Sequence, residues 1–386
     1  MRNASSYKLN SDEPLPARSY IDPLCFEQEK QGIFYRSWHC VGHCSEVAKP
    51  GDFASHTIVD ENIFVVRDAA GLLRAFYNLC RHRGHPLVEG NGNAKQTLVC
   101  PYHAWAYNLD GSLRHVPSSS DADNERCANL ALRPVKLEEH AGFIFVNLDE
   151  NATALAPQLA GLERELRSFY PQPERLRLVC ETTIEHQSNW KISVENYNEC
   201  YHCPTVHSTS LTRGVLAMNG YTIQPSGSMI WHEGKAQTTN EKQYDYDVDH
   251  SQRAGDYAAY WIWPLVSLCC YPGGFFTIRQ WQPISYRKTI YRYRWFSDGH
   301  LGDTEVEALM LKHKETTGTE DKHVVAKVQR GMESRAFEPG PYVIGDGQSA
   351  MSEVGVRHFH NLYRASMADY PPPETKSPRP QQSLSQ

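Results

Sequence analysis

The sequence predicts an α+β chain in which an all-β N-terminal part is followed by a mixed α+β part. From Asp52 to about Leu148, short alternating or β-branched runs are separated by Gly and Asx turns, the pattern of a small β-sandwich or barrel. After Asn151, helical periodicity and strand-like runs are interleaved. The 386 residues, 40% hydrophobic and 22% charged, suit a soluble globular chain with two or three domains' worth of core.

Residues 1–37 form a lead-in expected to pack on the mixed part; over 18–48, Ser19, Phe26, Ile33, Phe34 and Trp38 recur at roughly helical spacing before Val41. Residues 38–150 make the β part. Its strand candidates include His56-Thr57-Ile58-Val59, Ile63-Phe64-Val65-Val66, Leu98-Val99 and Gly142-Phe143-Ile144-Phe145-Val146. Turns are expected at Asp60-Glu61-Asn62, Gly90-Asn91-Gly92 and Asp110-Gly111. Residues 151–368 make the mixed part, with helices expected at Leu155–Phe169, Asn189–Glu199 and, as one long helix, Asp303–Arg335. Strands are expected at Phe275–Trp281 and Thr289–Phe296. Residues 369–386 hold five prolines and almost nothing apolar, the composition of a disordered tail.

Net charge is −6 with Lys and Arg scattered, so no basic footprint for nucleic acid is present. Ala258–Phe276 is apolar, but Pro264, Pro272 and Gly273-Gly274 interrupt it. A buried strand, a turn and a second buried strand are expected there, and no membrane span. Met1–Pro16 has no apolar h-region. Eleven cysteines make an odd number for a disulfide framework, so metal-bound and free thiols in a reducing cytoplasm are expected.

Cys80-Arg81-His82 and Cys100-Pro101-Tyr102-His103 stand seventeen residues apart, each after an apolar strand. Two thiolates can hold one iron and two neutral imidazoles another, which raises the reduction potential above that of an all-cysteine cluster. A Cys2His2 zinc site is the other reading of these four, but zinc fingers pair Cys with Cys and His with His. His85 is a spare imidazole expected to pack its loop. Downstream, Glu199-Cys200-Tyr201-His202-Cys203-Pro204-Thr205-Val206-His207 carries two histidines five apart. An unbroken helix would not put both on one face, whereas Pro204 disfavours helical geometry at Cys203, and a turn there could bring His207 back to His202. Two histidines with one carboxylate make the facial triad of non-haem iron(II) oxygenases.

Cys80-Arg81-His82-Arg83-Gly84-His85 with Cys100-Pro101-Tyr102-His103-Ala104-Trp105, followed by the His202/His207 motif, resembles the α subunit of the Rieske non-haem iron oxygenases over residues 18–365. The resemblance implies a Rieske β-domain, a helix-grip-like catalytic domain, one [2Fe–2S] cluster and one Fe(2+) per subunit, and O2 as co-substrate. It also implies a head-to-tail homotrimer fed by a separate flavin and iron–sulfur reductase that uses NAD(P)H. Asp321, before Val328-Gln329-Arg330-Gly331, resembles the family's third iron ligand; Glu320 and the remoter Asp303 compete with it. Glu199 occupies the place of the acidic residue that bridges the two metal centres, where most ring-hydroxylating members have aspartate. Its other reading is an orienting group for His202.

Glu-Cys-Tyr-His-Cys, Ala75–Asn78, Glu138–Asn147 and Ser352-Glu353-x-Gly355 are similar to the branch that oxidises carnitine and other quaternary amines. The small-molecule substrate is therefore expected to be a quaternary ammonium compound, hydroxylated next to nitrogen. Trp231, Tyr260, Trp261, Trp263, Tyr271, Phe275, Phe276 and Trp281 could supply a cation–π cage, most of them being expected to pack the sheet. Arg279 could pair a substrate carboxylate, although a surface or interface position is the commoner fate of a strand arginine. An aromatic-ring dioxygenase or demethylase is the rival within the class, and a Rieske electron carrier the rival outside it.

Overall fold

The computed structural model describes residues 11–237, 255–299 and 301–370. Most of the expected tail, and residues 1–10 of the lead-in, lie outside the described residues.

An antiparallel sheet of seven strands occupies the N-terminal part: β1 His39–His43, β2 Asp52–Ile58, β3 Glu61–Arg67, β4 Leu73–Tyr77, β5 Asn91–Asn93, β9 Pro134–His140 and β10 Phe143–Asn147, in the order β1-β10-β9-β4-β3-β2-β5. A three-stranded ribbon stands beside it, formed by β6 Thr97–Val99, β7 Ala106–Asn108 and β8 Leu113–His115. Two expected turns are corrected. Chain reversal falls at Val59–Asp60, with Val59 in the left-handed region, so Glu61 and Asn62 already belong to β3. Asn91–Asn93 is not a turn but an edge strand on β2.

The second sheet has seven antiparallel strands: β11 Arg177–His186, β12 Leu216–Ser226, β13 Met229–Ala236, β14 Asp256–Ile262, β15 Val266–Tyr271, β16 Phe275–Ser285 and β17 Lys288–Ser297. Their order is β11-β17-β16-β15-β14-β13-β12. Every residue of β14 and β15 is buried, because both faces are covered. Ala258, Tyr260, Leu268, Phe276 and Ile278 pack against Trp38, Phe143 and Phe145 of the first part. Tyr257, Trp261, Cys269, Tyr271, Trp281 and Tyr291 face the helices. Double coverage explains the continuous apolar run of 258–276, which spans parts of three strands rather than two. No helix among the described residues is long and apolar enough to cross a membrane.

Two expected helices are divided. Gly161, at φ +85°, splits 155–169 into a 3-10 turn at Ala156–Leu159 and a helix at Leu162–Phe169. Thr316, at φ −100° and ψ −101°, separates Asp303–Glu315 from Thr317–Met332.

The Trp190–Tyr197 helix, capped by Asn189, lies on the helix-covered face of the second sheet and is held from behind by buried charge. Lys191 Nζ pairs with Glu29 Oε1 at 2.5 Å, both side chains fully buried. Trp190 Nε1 donates to Glu29 Oε2 at 2.8 Å, and Tyr363 Oη donates to Glu29 Oε1 at 2.9 Å. The lead-in helix Pro23–Glu29, the Trp190–Tyr197 helix and the C-terminal helix Val354–Ser366 therefore meet at one carboxylate. Gly355 lets the last two touch: a Cβ there would come within 2.1 Å of the Asn198 carbonyl oxygen.

Removing one partner of a buried ion pair leaves the other charge uncompensated. Lys191→Met is expected to lower the unfolding free energy by about 3–5 kcal/mol, read as a shift of the urea midpoint. Adding Glu29→Gln should restore part of it. A single-variant loss within about 0.5 kcal/mol, the range of an ordinary surface change, would remove the pair from its structural role.

Candidate metal centres and cavity

Two loops of matching construction follow β4 and β6. In the first, Cys80 N–H donates to the His85 carbonyl at 2.9 Å and Gly84 N–H to the Cys80 carbonyl at 2.9 Å. In the second, Cys100 N–H donates to the Trp105 carbonyl at 2.8 Å and Ala104 N–H to the Cys100 carbonyl at 3.0 Å. The fifth residue of each, Gly84 and Ala104, takes a positive φ. Both loops thus turn the same way and present their side chains together.

Cys80 and Cys100 are buried, whereas His82 and His103 are exposed with ring centroids 4.7 Å apart. Burial pushes the Cys80 thiol up; the Tyr107 hydroxyl lowers it, and neighbouring Cys100 raises it further. Each loop supplies one cysteine and one histidine, the thiols buried and the imidazoles exposed; zinc fingers instead pair Cys with Cys and His with His, whereas a binuclear cluster takes thiolates on one iron and imidazoles on the other. The residues fit the cluster.

Three supports escaped the sequence reading. Tyr107 Oη lies 3.4 Å from Cys80 Sγ and accepts from Arg81 N–H at 3.0 Å. Trp105 stacks on His82 at 4.9 Å. Asn78 braces the first loop through the backbone of Leu87 and Val88. His85 lies against the Pro86 carbonyl, 2.6 Å from Nδ1.

His202 and His207 flank a single helical turn, Cys203–Val206. Cys203 is helical although it precedes Pro204, because Pro204 sits in the first turn, where its missing N–H costs nothing. Cys200 and Cys203 are joined by a disulfide, their Cα atoms 4.9 Å apart, which corrects the expectation that all thiols are metal-bound or free. The turn sets His202 Nε2 and His207 Nε2 3.2 Å apart. From the Thr317–Met332 helix, Asp321 Oδ1 reaches to 3.2 Å of His207 Nε2 and 3.6 Å of His202 Nε2. This oxygen is buried without a hydrogen-bond partner. Neighbouring donors about 2.1 Å from one ion lie roughly 3 Å apart, so the three atoms fit one face of a metal.

Each histidine carries a carboxylate on its far nitrogen. Glu199 Oε1 lies 2.5 Å from His202 Nδ1, and Glu199 Oε2 accepts from the His202 backbone N–H at 3.1 Å. Glu320 Oε2 lies 2.7 Å from His207 Nδ1 and accepts from Ser210 Oγ at 2.5 Å. Glu320 is thus behind His207 rather than facing the gap, and Asp303 is elsewhere, paired with Arg177. Burial opposes protonation of His202, but Asp321 and Glu199 overcome it and raise its pKa to about 10. Burial opposes ionisation of Asp321, yet both histidines hold it well below the usual carboxylate range. A cation entering between the three donors would displace the proton that the carboxylates favour on His202.

A cavity opens beside these donors. It encloses about 440 Å³ of empty space, its open side included. Tyr197, Tyr221, Tyr257, Tyr271, Arg279 and His313 line it with the three donors. Of the aromatic residues expected as a cage, Tyr271 is there, whereas Tyr260 and Phe276 point to the opposite face of the sheet. Arg279 is 6% exposed, not on the surface as expected. Among the described residues, no hydrogen bond joins either Cys/His loop to the His202–Asp321 site within the chain.

Residues 37–133 match the Rieske [2Fe-2S] domain, and residues 173–369 match the ring hydroxylating alpha subunit (catalytic domain). The carnitine monooxygenase oxygenase subunit of Escherichia coli (strain K12) is 35% identical, over 90% of this chain and 92% of that protein. The glycine betaine monooxygenase oxygenase subunit of Pseudomonas aeruginosa (strain UCBPP-PA14) is 28% identical, over 95% and 92%. The crystal structure of the quaternary ammonium Rieske monooxygenase CntA with L-carnitine superposes with a TM-score of 0.81 at 32% identity, covering 92% of this chain and 95% of that one.

Asp321→Ala is expected to keep the visible absorption of an iron–sulfur cluster while iron falls from about three to about two per chain. Glu320→Ala should keep full loading at saturating iron but weaken metal affinity about 10- to 100-fold. Metal and sulfide analysis decides. An Asp321→Ala protein with wild-type iron content would remove Asp321 from the donor set.

Proposed function

Because the chain belongs to the Rieske-type ring-hydroxylating oxygenase α-subunit family, we propose that it is the terminal oxygenase of a monooxygenase that hydroxylates a C–H bond next to the nitrogen of a quaternary ammonium compound. Membership makes it an oxidoreductase with an iron–sulfur cluster and a mononuclear iron, and removes the reading of a bare electron carrier. The observation that carries the proposal is the convergence of His202, His207 and Asp321 at a tyrosine-lined cavity.

In this reading Cys80 and Cys100 hold one iron of the cluster, His82 and His103 the other, and His202, His207 and Asp321 the Fe(2+). Bound there, the cluster supplies electrons singly and the mononuclear iron supplies the activation of O2. Glu199 and Glu320 keep a proton on each far nitrogen, which leaves both Nε2 lone pairs free for the metal. The tyrosine wall desolvates the ammonium group and attracts it through the ring faces. In the net reaction O2, two electrons and two protons convert C–H to C–OH and release one water. The C–N bond next to the new hydroxyl then breaks, giving a carbonyl product and a smaller amine.

Electrons come from a separate flavin and iron–sulfur reductase using NAD(P)H. In a homotrimer, Glu199 would bridge His202 and the partner subunit's His103 or His82. Supporting this, both histidines of the cluster loops are exposed, and Glu199 lies beside a cavity that opens outward.

Oxygen uptake with a generic reductase against carnitine, glycine betaine, choline, proline betaine and simple aromatic acids tests the substrate class. Stimulation by an ammonium compound with release of an amine or formaldehyde is expected; stimulation by aromatic acids alone would overturn it. Glu199→Gln is expected to keep cluster spectra and iron loading and to lose turnover. Wild-type turnover in that variant would end the bridging role.

A further inference from the structure

Cys200 and Cys203 flank Tyr201 and His202 and are joined by a disulfide. The other nine cysteines are free. Both members of the bridge are buried, yet both line the cavity beside His202, His207 and Asp321, and Tyr201 between them is exposed. The turn they close is already held by its backbone. Cys203 N–H donates to the Cys200 carbonyl at 3.0 Å, Val206 N–H to the His202 carbonyl at 2.9 Å and His207 N–H to the Cys203 carbonyl at 2.9 Å. A bridge over so short a loop also restricts the unfolded chain least of all. Bracing alone is therefore a weak reason for a covalent bond at this place.

Cys203 Sγ stands among the metal donors. It lies 4.0 Å from His202 Nε2, and donor atoms of His202, Cys203 and His207 all fall within 4.8 Å of one another. In a tetrahedral zinc site, a sulfur about 2.3 Å and a nitrogen about 2.1 Å from the ion are roughly 3.6 Å apart. The observed separation is close to that value. Tied to Cys200, the sulfur carries no charge; as a thiolate it is a strong metal ligand.

The number of donors decides what the cavity holds. His202, His207 and Asp321 alone leave positions open on an iron, as an O2-activating site requires. A thiolate from Cys203 makes four donors, the count and type that close a zinc site. Thiolates also select zinc over harder ions. One S–S bond thus separates an open donor set from a closed one.

We propose that Cys203 is a masked metal ligand, and that reduction of its bond to Cys200 turns the three-donor iron site into a four-donor site for a thiolate-seeking divalent cation such as Zn2+. A dithiol small enough to enter the cavity supplies two electrons and two protons. The Cys200–Cys203 bond breaks, two thiols form, and the reductant leaves as its own cyclic disulfide. An entering zinc ion then displaces the thiol proton of Cys203. The inference rests on the donor set proposed above and is independent of the substrate class.

The test uses the full chain with its cluster intact and the mononuclear site loaded with Zn2+ alone. X-ray absorption at the zinc edge sees that ion and not the iron of the cluster. After a mild disulfide-forming oxidant, nine of the eleven cysteines of wild-type protein are expected to alkylate on unfolding. Its zinc should then have only nitrogen and oxygen neighbours. After a trialkylphosphine, which adds no thiol of its own, all eleven should alkylate, and one sulfur should appear about 2.3 Å from zinc. Cys200→Ser is expected to show that sulfur without any reductant, and Cys203→Ser to lack it throughout. The two wild-type measurements need no variant, so a folding defect in either variant does not leave the question open. A reduced wild-type protein whose zinc has no sulfur neighbour overturns Cys203 as a ligand. Eleven alkylated cysteines in the oxidant-treated protein overturn the masking. Zinc without imidazole scattering overturns the donor set of His202 and His207 itself.

Discussion

The Glu29–Lys191 pair is the interaction on which the remaining architecture leans. A lysine fully shielded from water can stay charged only beside a partner, and here the partner also accepts from Trp190 and Tyr363. The pair contributes little net stability against its desolvation, but it pins the Trp190–Tyr197 helix in one position. On the same helix, Glu195 accepts from Tyr20 Oη at 2.7 Å and lies 2.9 Å from His360 Nε2. Tyr197, Glu199 and His202 follow directly, so the place of the donors is set by contacts that never touch them.

The two centres use one idea under opposite conditions. At the first, buried thiols and exposed imidazoles leave one edge at the surface, suited to electrons arriving from another protein. At the second, a carboxylate stands behind each histidine, His207 is buried and the neighbouring wall is aromatic. Exposure favours exchange with partners, whereas burial strengthens the field of every charge near the substrate. The chain places the first set of donors on tight loops and the second between a sheet and its helices.

The sequence made the first centre legible because its four donors lie in two short strings whose geometry is local. His202 and His207 were readable for the same reason, although the helical turn between them was not, since a proline in a first turn permits what it forbids later in a helix. Asp321 comes from a helix more than a hundred residues away, and only the family likeness pointed to it. Arg279 and the tyrosine wall were misjudged because β14–β16 are covered on both faces. Without an alternation of polar and apolar residues, no pattern says which side a residue faces. The breaks at Gly161 and Thr316 fall within otherwise helical stretches, where tertiary packing overrides periodicity.

Gly355 adds a temporal dimension to the static picture. The strands and loops that frame the Cys/His donors all lie between His39 and Asn147, so that framework is whole once the first two-fifths of the polypeptide have been made. The second centre depends on Asp321 and on a helix whose close approach to Asn198 is permitted by Gly355. Its walls cannot close until almost the entire polypeptide has left the ribosome. Vectorial synthesis thus imposes an order of completion on the two halves, and a chain that stops early would display the Cys/His loops without the second set of donors.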